Sequence, residues 1–372
     1  MLSPPRIALV SPNRNAYSET FIRAHIKRLQ GVELVLIDGF LPKRRADGSL
    51  LIGMSIVDRL RRRALACEVE EELERRIASE LASHAINVVL AEYGPTGEAM
   101  LPICRRLGIP LVVHFHGVDA FHESLLHKHQ RYRALLAEAA GVIVVSEEML
   151  HQLYSLGAVE QRTHLIYYGV DTISFDRPDR ITPSRDLLAV GRFADTKAPY
   201  LTMLAFHRAW KEVPELRLRM IGDGPLLESC WQMRDALGLN YVVDLPGVQS
   251  QQEVALAMQR SLAFVQHSLI TTKGDREGTP LAILEALSSG LPVVATRHAG
   301  IGEVIEHGRT GLLCEERDLI SMSENMVILA RDADLVKRMG AEARSHILAH
   351  HNVEDRVADL QQVLAAVVNN WH

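Results

Sequence analysis

Cysteine is scarce in this chain. Its 372 residues include four, Cys67, Cys104, Cys230 and Cys314. They are far apart and form no metal-ligand pair, so they read as small buried thiols in a reducing cytosol. Long apolar runs are also missing. No window approaches the roughly 20 uninterrupted apolar residues of a membrane span, and Met1 to Val10 lacks the apolar core of a signal peptide. Neither export nor an integral membrane position is expected. Excess positive charge is absent, with a net charge of -5, and no basic run is interleaved with aromatics. Nucleic-acid binding is therefore excluded as a general function. The first apolar strand leads into SPNRNAYSETF and has no G-x-G-x-x-G turn, which argues against a dinucleotide oxidoreductase. No repeat of 20 to 50 residues marks a solenoid.

What is present is an ordinary globular composition, 47% hydrophobic and 23% charged, long enough for two cores. Short apolar runs alternate with amphipathic stretches from end to end, the pattern of parallel strands joined by helices. Strands are expected near Ile7–Val10, Glu33–Ile37, Asn87–Ala91, Leu111–Phe115, Val142–Val145 and His164–Ile166, with helices such as Glu19–Gln30 and Glu68–His84 between them. After a polar, proline-containing stretch, a second set begins. Its strands lie near Leu187–Val190, Leu216–Ile221, Val242–Leu245, Leu262–Val265, Val293–Ala295 and Gly311–Leu313. The pattern predicts an α/β protein of two Rossmann-like, doubly wound domains at 1–168 and 186–352, with a linker at 169–185. The last helical stretch, within 353–372, is expected to pack back on the first domain.

Open parallel sheets bind ligands beyond the carboxyl ends of their strands, so those residues carry the functional reading. The most informative segment is Arg276 to Ser289, REGTPLAILEALSS. Thr279 reads as an N-cap and Pro280 as the first helical residue. The free amides of that first turn favour a phosphate. Glu285 lies alone on an apolar helix and needs a partner, either a ligand hydroxyl or a backbone donor. Arg192 follows a strand and Gly191, and Lys197 follows five residues later. They form either a solvated surface pair or a diphosphate clamp, and their place at a strand end in the domain of REGTP favours the clamp. In the first domain, His114-Phe115-His116-Gly117 ends a strand. His114 reads as a core histidine and His116 as a group that reaches a sugar hydroxyl or phosphate. Asp119 either caps the next helix or joins the site.

Together these segments resemble the retaining glycosyltransferases of family 4, in particular those that build bacterial exopolysaccharide or lipopolysaccharide. GRFADTK, MIGDGP, LPG, REGTPLAILEALSSGLPVVATRHAGIGEVI with its E-x7-E spacing, and GRTGLL carry the likeness in the second half; HFHGVDAF and SETF carry it in the first. The resemblance implies the GT-B fold, two Rossmann-like domains facing a central cleft, and retaining hexosyl transfer from a nucleoside diphosphate sugar, taken as UDP-linked, with no cofactor and no essential metal. It assigns Arg192 and Lys197 to the diphosphate, Glu285 to the ribose, Glu277 to the donor sugar, and His116 to the vicinity of the reacting sugar. Gly191, Gly222, Gly278, Thr279, Pro280 and Leu281 would line the donor pocket, with Gly247 and Val248 at the base. Ser18, Glu19, Thr20, Tyr93 and Asp119 are the acceptor-side candidates, the first three opening a helix that either faces the cleft or is merely capped there. The acceptor would be a glycan or a lipid-linked glycan. Lys43 to Leu65, with Arg44, Arg45, Arg59 and Arg61 to Arg63, reads either as a surface for an anionic membrane or as an ordinary helix with a solvated basic face. A cytoplasmic protein, peripheral at the inner face of the membrane, is the corresponding expectation. A GT-B sugar-nucleotide epimerase and a non-catalytic sugar-nucleotide-binding subunit are the alternatives.

Overall fold

A computed structural model describes residues 5–14, 19–52, 66–176 and 184–371. The chain divides into two compact units, Met1–Ile166 with Val357–His372, and Tyr167–Arg356.

The first unit is built on β1 (Ile7–Val10), β2 (Val32–Ile37), β3 (Arg44–Arg45), β4 (Val88–Glu92), β5 (Leu111–His114), β6 (Gly141–Val144) and β7 (Thr163–Leu165). Their order across the sheet is β3-β2-β1-β4-β5-β6-β7. All pairs are parallel except the edge pair β2–β3, which is antiparallel. The two-residue β3 is too short to leave a periodic trace and was not anticipated. β1, β4, β5 and β6 are buried at every position, because helices cover both faces of a parallel sheet. The C-terminal helix Val353–Asn370 ends in this unit, where Gln361 accepts from the Gln30 amide at 2.8 Å and the Trp371 indole donates to the Gly108 carbonyl at 2.9 Å.

The second unit is wholly parallel. It contains β8 (Asp186–Val190), β9 (Arg217–Ile221), β10 (Val243–Gly247), β11 (Ala263–Gln266), β12 (Val293–Thr296) and β13 (Gly311–Cys314), ordered β10-β9-β8-β11-β12-β13. The order reverses between β8 and β11, and between β1 and β4 in the first unit. Such reversals splay the following loops apart and open a crevice at the strands' carboxyl ends. Part of the segment expected as a linker is fastened to this unit. The Val170 amide donates to the His351 carbonyl at 2.8 Å, and the Arg344 guanidinium donates to the carbonyls of Thr172, Phe175 and Ser288. Polar residues without periodicity can still be ordered when one half-buried cation collects their carbonyls.

Three cysteines, Cys104, Cys230 and Cys314, are buried free thiols, and burial pushes their pKa values up to about 12, 11 and 12. Among the described residues no helix is long and apolar enough to cross a membrane. Residues 53–65, which hold Arg59 and Arg61 to Arg63, lie outside the described residues. Upstream, Arg44 pairs with Asp38 at 3.1 Å and Arg45 with Glu80 at 3.0 Å, so two of the three basic residues there already have acidic partners.

Candidate functional site

In the second unit the loops after β8 and β9 interlock. Gly191 donates to the Ile221 carbonyl, Gly222 to Gly247, and Phe193 to Asp223. Gly222 is required there. Its φ is +141°, and an added Cβ would stand 1.9 Å from the Gly191 carbonyl oxygen. This close approach shapes the edge on which exposed Arg192 stands. Gly247 ends β10, and Val248, 47% exposed, follows it.

Lys197 lies in a one-turn helix, Asp195–Lys197, just before the helix Pro199–Glu212. Its ammonium stands 3.1 Å from the Glu277 carboxylate, and both side chains are largely shielded from solvent. The structure thus joins two residues, 80 positions apart, that sequence reasoning had assigned to the diphosphate and to the donor sugar. A shielded pair is held more firmly than a surface one, because water competes less for either charge.

The helix after REGTP begins one residue later than expected. Pro280 is its N-cap, Leu281–Ser288 is the helix, and no side chain caps it. The expectation that Thr279 caps with Pro280 as first helical residue is therefore corrected. The Pro280 ψ of 116° is extended, which moves Thr279 out of capping reach; Thr279 packs against Gly300 instead. The helix is buried as its composition requires: Ile283, Leu284 and Leu287 have no exposure, worth about 2 kcal/mol each. Glu285 is buried with them at 9%. Gly278 and Thr279 are buried and Leu281 is half-buried at the helix mouth.

Two residues that sequence reasoning missed hold this loop. His298, after β12, accepts the Glu277 amide proton on Nε2 at 3.1 Å, and its Nδ1 lies 2.6 Å from Glu316 Oε1. Both follow strand ends, so the rule that found Arg192 could have found them.

A groove of about 630 Å³ in the same unit, lined by Arg217, Arg219, Tyr241 and Arg260 among others, lies at the amino ends of β8 to β10. It is at the wrong end of the strands for a doubly wound sheet.

In the first unit Glu92, the last residue of β4, has no exposure and sits at the centre of three histidines. Its oxygens lie 2.8 Å from His25 Nδ1, 2.8 Å from His116 Nε2 and 3.5 Å from His114 Nδ1. Burial opposes ionisation of Glu92, but the surrounding imidazoles outweigh it and hold the carboxyl well below the usual carboxylate range. Burial, with the neighbouring His116, keeps His114 well below its ordinary value against the pull of Glu92. His116 is therefore oriented by an acid that went unnoticed in the sequence, and it packs on Phe21 and Tyr93 with ring centroids 4.4 and 4.5 Å away.

The sequence suggested no metal-ligand set. In the structure, possible ligating atoms of His25, Glu92 and His114 lie within 4.8 Å of one another, because the parallel register sets Glu92 beside His114 and a helix brings in His25. Glu92 already takes hydrogen bonds from His25 and His116 in this arrangement.

The other acceptor-side candidates make local contacts. Asp119 is 1% exposed, and its carboxylate accepts from the amides of Gly94, His116 and Gly117. Burial raises its pKa, with His116 and the amides opposing. It lies inside the short helix Val118–Phe121 and fixes the turn behind His116. Glu19 is the N-cap position of the helix Thr20–Arg28 but makes no cap bond; it accepts from the Tyr93 hydroxyl at 2.7 Å and from the Asn13 amide. Ser18 lies outside the described residues.

Two doubly wound units, each with its strand order reversing once, are the architecture of the GT-B glycosyltransferases. The Glycosyltransferase Family 4 model matches residues 24–173 and the Glycosyl transferases group 1 model residues 172–346. Together they span most of the chain, which belongs to this glycosyltransferase family. WcaL of Salmonella typhimurium, whose name places it in colanic acid biosynthesis, is 26% identical over 288 residues, 75% of this chain and 71% of WcaL. The amylovoran biosynthesis glycosyltransferase AmsK of Erwinia amylovora is 27% identical over 298 residues, 77% of this chain and 72% of AmsK. In fold, the chain is similar to Anabaena HepE, solved with UDP and glucose: TM-score 0.78 at 16% identity, covering 97% of this chain and all of HepE.

Proposed function

We propose that this glycosyltransferase moves a hexosyl group from a nucleoside diphosphate sugar, UDP-linked, to a hydroxyl of a glycan or lipid-linked glycan in bacterial surface polysaccharide synthesis, with retention of configuration and without an essential metal. The observation that carries the reading is the Lys197–Glu277 pair beside Arg192 at the sheet's reversal point. A donor sugar diphosphate offers each partner a better one: anionic oxygens for Lys197, hydroxyl donors for Glu277. The names of WcaL and AmsK support the polysaccharide setting, and the UDP and glucose bound to HepE support the donor class.

In the reaction the bond between the anomeric carbon and the diphosphate oxygen breaks, and its electron pair leaves with the diphosphate. Arg192 and Lys197 stabilise that growing charge, where fixed cations act most strongly. The acceptor hydroxyl approaches the same face, its oxygen bonds the anomeric carbon, and a donor phosphate oxygen takes its proton. Glu277 holds sugar hydroxyls and Glu285 the ribose. With two cations serving the diphosphate, the proposal needs no divalent ion.

A thermal-shift panel of UDP, GDP, ADP and TDP and their hexose conjugates, in chelator, tests the reading. Stabilisation by UDP, larger with one UDP-hexose, is expected. No shift with any nucleotide would remove the donor site.

A further inference from the structure

His298 has no side-chain exposure, and it lies between a carboxylate and a backbone amide. The amide of Glu277 is a donor only, so His298 Nε2 must present its lone pair; the proton is then on Nδ1, donated to Glu316. Glu316 is anchored in turn by the Ile270 amide at 3.0 Å and by Arg317 at 3.3 Å. Burial would raise its pKa, but the His298 and Ile270 hydrogen bonds outweigh this and lower it. Behind the same loop, an added Cβ on Gly300 would stand 2.6 Å from the Gly278 carbonyl oxygen, so the turn after β12 lies flat against Gly278 and Thr279. The loops after β11, β12 and β13 thus converge on the backbone of the residue whose carboxylate meets Lys197.

We propose that His298 and Glu316 are positioning residues for glycosyl transfer: Glu316 fixes the imidazole as its Nδ1–H tautomer, and that ring holds the Glu277 backbone so that the Glu277 carboxylate is presented to the donor sugar. The proposal rests on Glu277 binding the sugar, and its test separates the two. In ligand-free protein, nitrogen NMR of labelled histidine should report the Nδ1–H tautomer for His298. Hydrogen exchange at the Glu277 amide should rise about fivefold or more in H298N, whose side chain keeps a donor for Glu316 but falls short of Glu277. H298Q, with a carbonyl oxygen that reaches the Nε2 position, should restore protection. An Nε2–H tautomer, or unchanged exchange in H298N, overturns the proposal. Calorimetry with UDP and UDP-glucose then reads function. H298N should retain UDP affinity and lose the added affinity of UDP-glucose, and H298Q should recover it. An undiminished preference in H298N, or equal loss of both ligands, overturns the positioning role. A wild-type protein that binds UDP-glucose no tighter than UDP overturns the sugar-holding reading of Glu277 itself, and the positioning role with it.

Discussion

At the scale of single residues, charge placement decides the chemistry. Lys197 and Glu277 neutralise each other at 3.1 Å in the ligand-free site, so removing one leaves the other shielded and unpaired. Lys197→Ala is expected to lower turnover on the order of 100-fold, through loss of a cation facing the leaving diphosphate. Steady-state release of nucleotide from the accepted donor measures this; a change confined to KM would show that Lys197 only binds. Glu92 poses the same problem in the first unit. Glu92→Leu strips His25 and His116 of their common acceptor in a buried place and should cost about 3 kcal/mol in denaturant unfolding. A loss below about 0.5 kcal/mol, the ordinary range of surface changes, would mean that the imidazoles find other partners.

At the scale of elements, the strand-end edge of the second unit is made by loops packed too tightly for side chains. Gly222 sits at φ +141° with the Gly191 carbonyl in the space a Cβ would take. Gly222→Ala should therefore destabilise the protein by about 1–3 kcal/mol and displace the Gly191–Arg192 turn. Weakened UDP stabilisation in a thermal-shift assay, together with a lowered melting temperature, is the expected result. Retention of both would show that the loop has room to shift. The helix Leu281–Ser288 behaves differently. It is anchored by apolar burial and needs no cap, which is why the cap residue was misassigned while the helix itself was not.

At the scale of the whole molecule, buried histidines make stability depend on pH. Burial lowers the pKa values of His267 and His351 to about 4, and that of His114 well below its ordinary value. The unfolded chain takes up these protons near pH 6.5 while the folded chain refuses them, so their stabilisation is complete above about pH 6.5 and is lost as the pH falls towards 4. His267 and His351 each account for roughly 3 kcal/mol across that window. The apparent melting temperature should fall steadily between pH 6.5 and pH 4.5, and less steeply in His351→Asn. Equal slopes in the two proteins would show that His351 takes up its proton in the folded chain at about the same pH as in the unfolded one.

The twelve strands read from the sequence all appear, the central ones because a parallel strand buried on both faces must be written as an apolar run. The strand-end rule likewise drew attention to Arg192, and the loop-to-helix junction REGTPLAILEALSS to Glu285, because polar residues beside apolar runs are visible without coordinates. The chain by itself therefore determined its two doubly wound sheets and the polar composition of the strand ends. Only tertiary structure decided which residues meet. Glu92 joins His25, His114 and His116 through the register of β4 and β5 and a helix from 67 positions upstream, and Glu316 reaches Glu277 through His298 across three strand ends. Local pattern records burial because burial repeats with the period of the element. A hydrogen bond between distant loops has no period, and so it leaves no trace in the sequence until the sheet order sets the loops side by side.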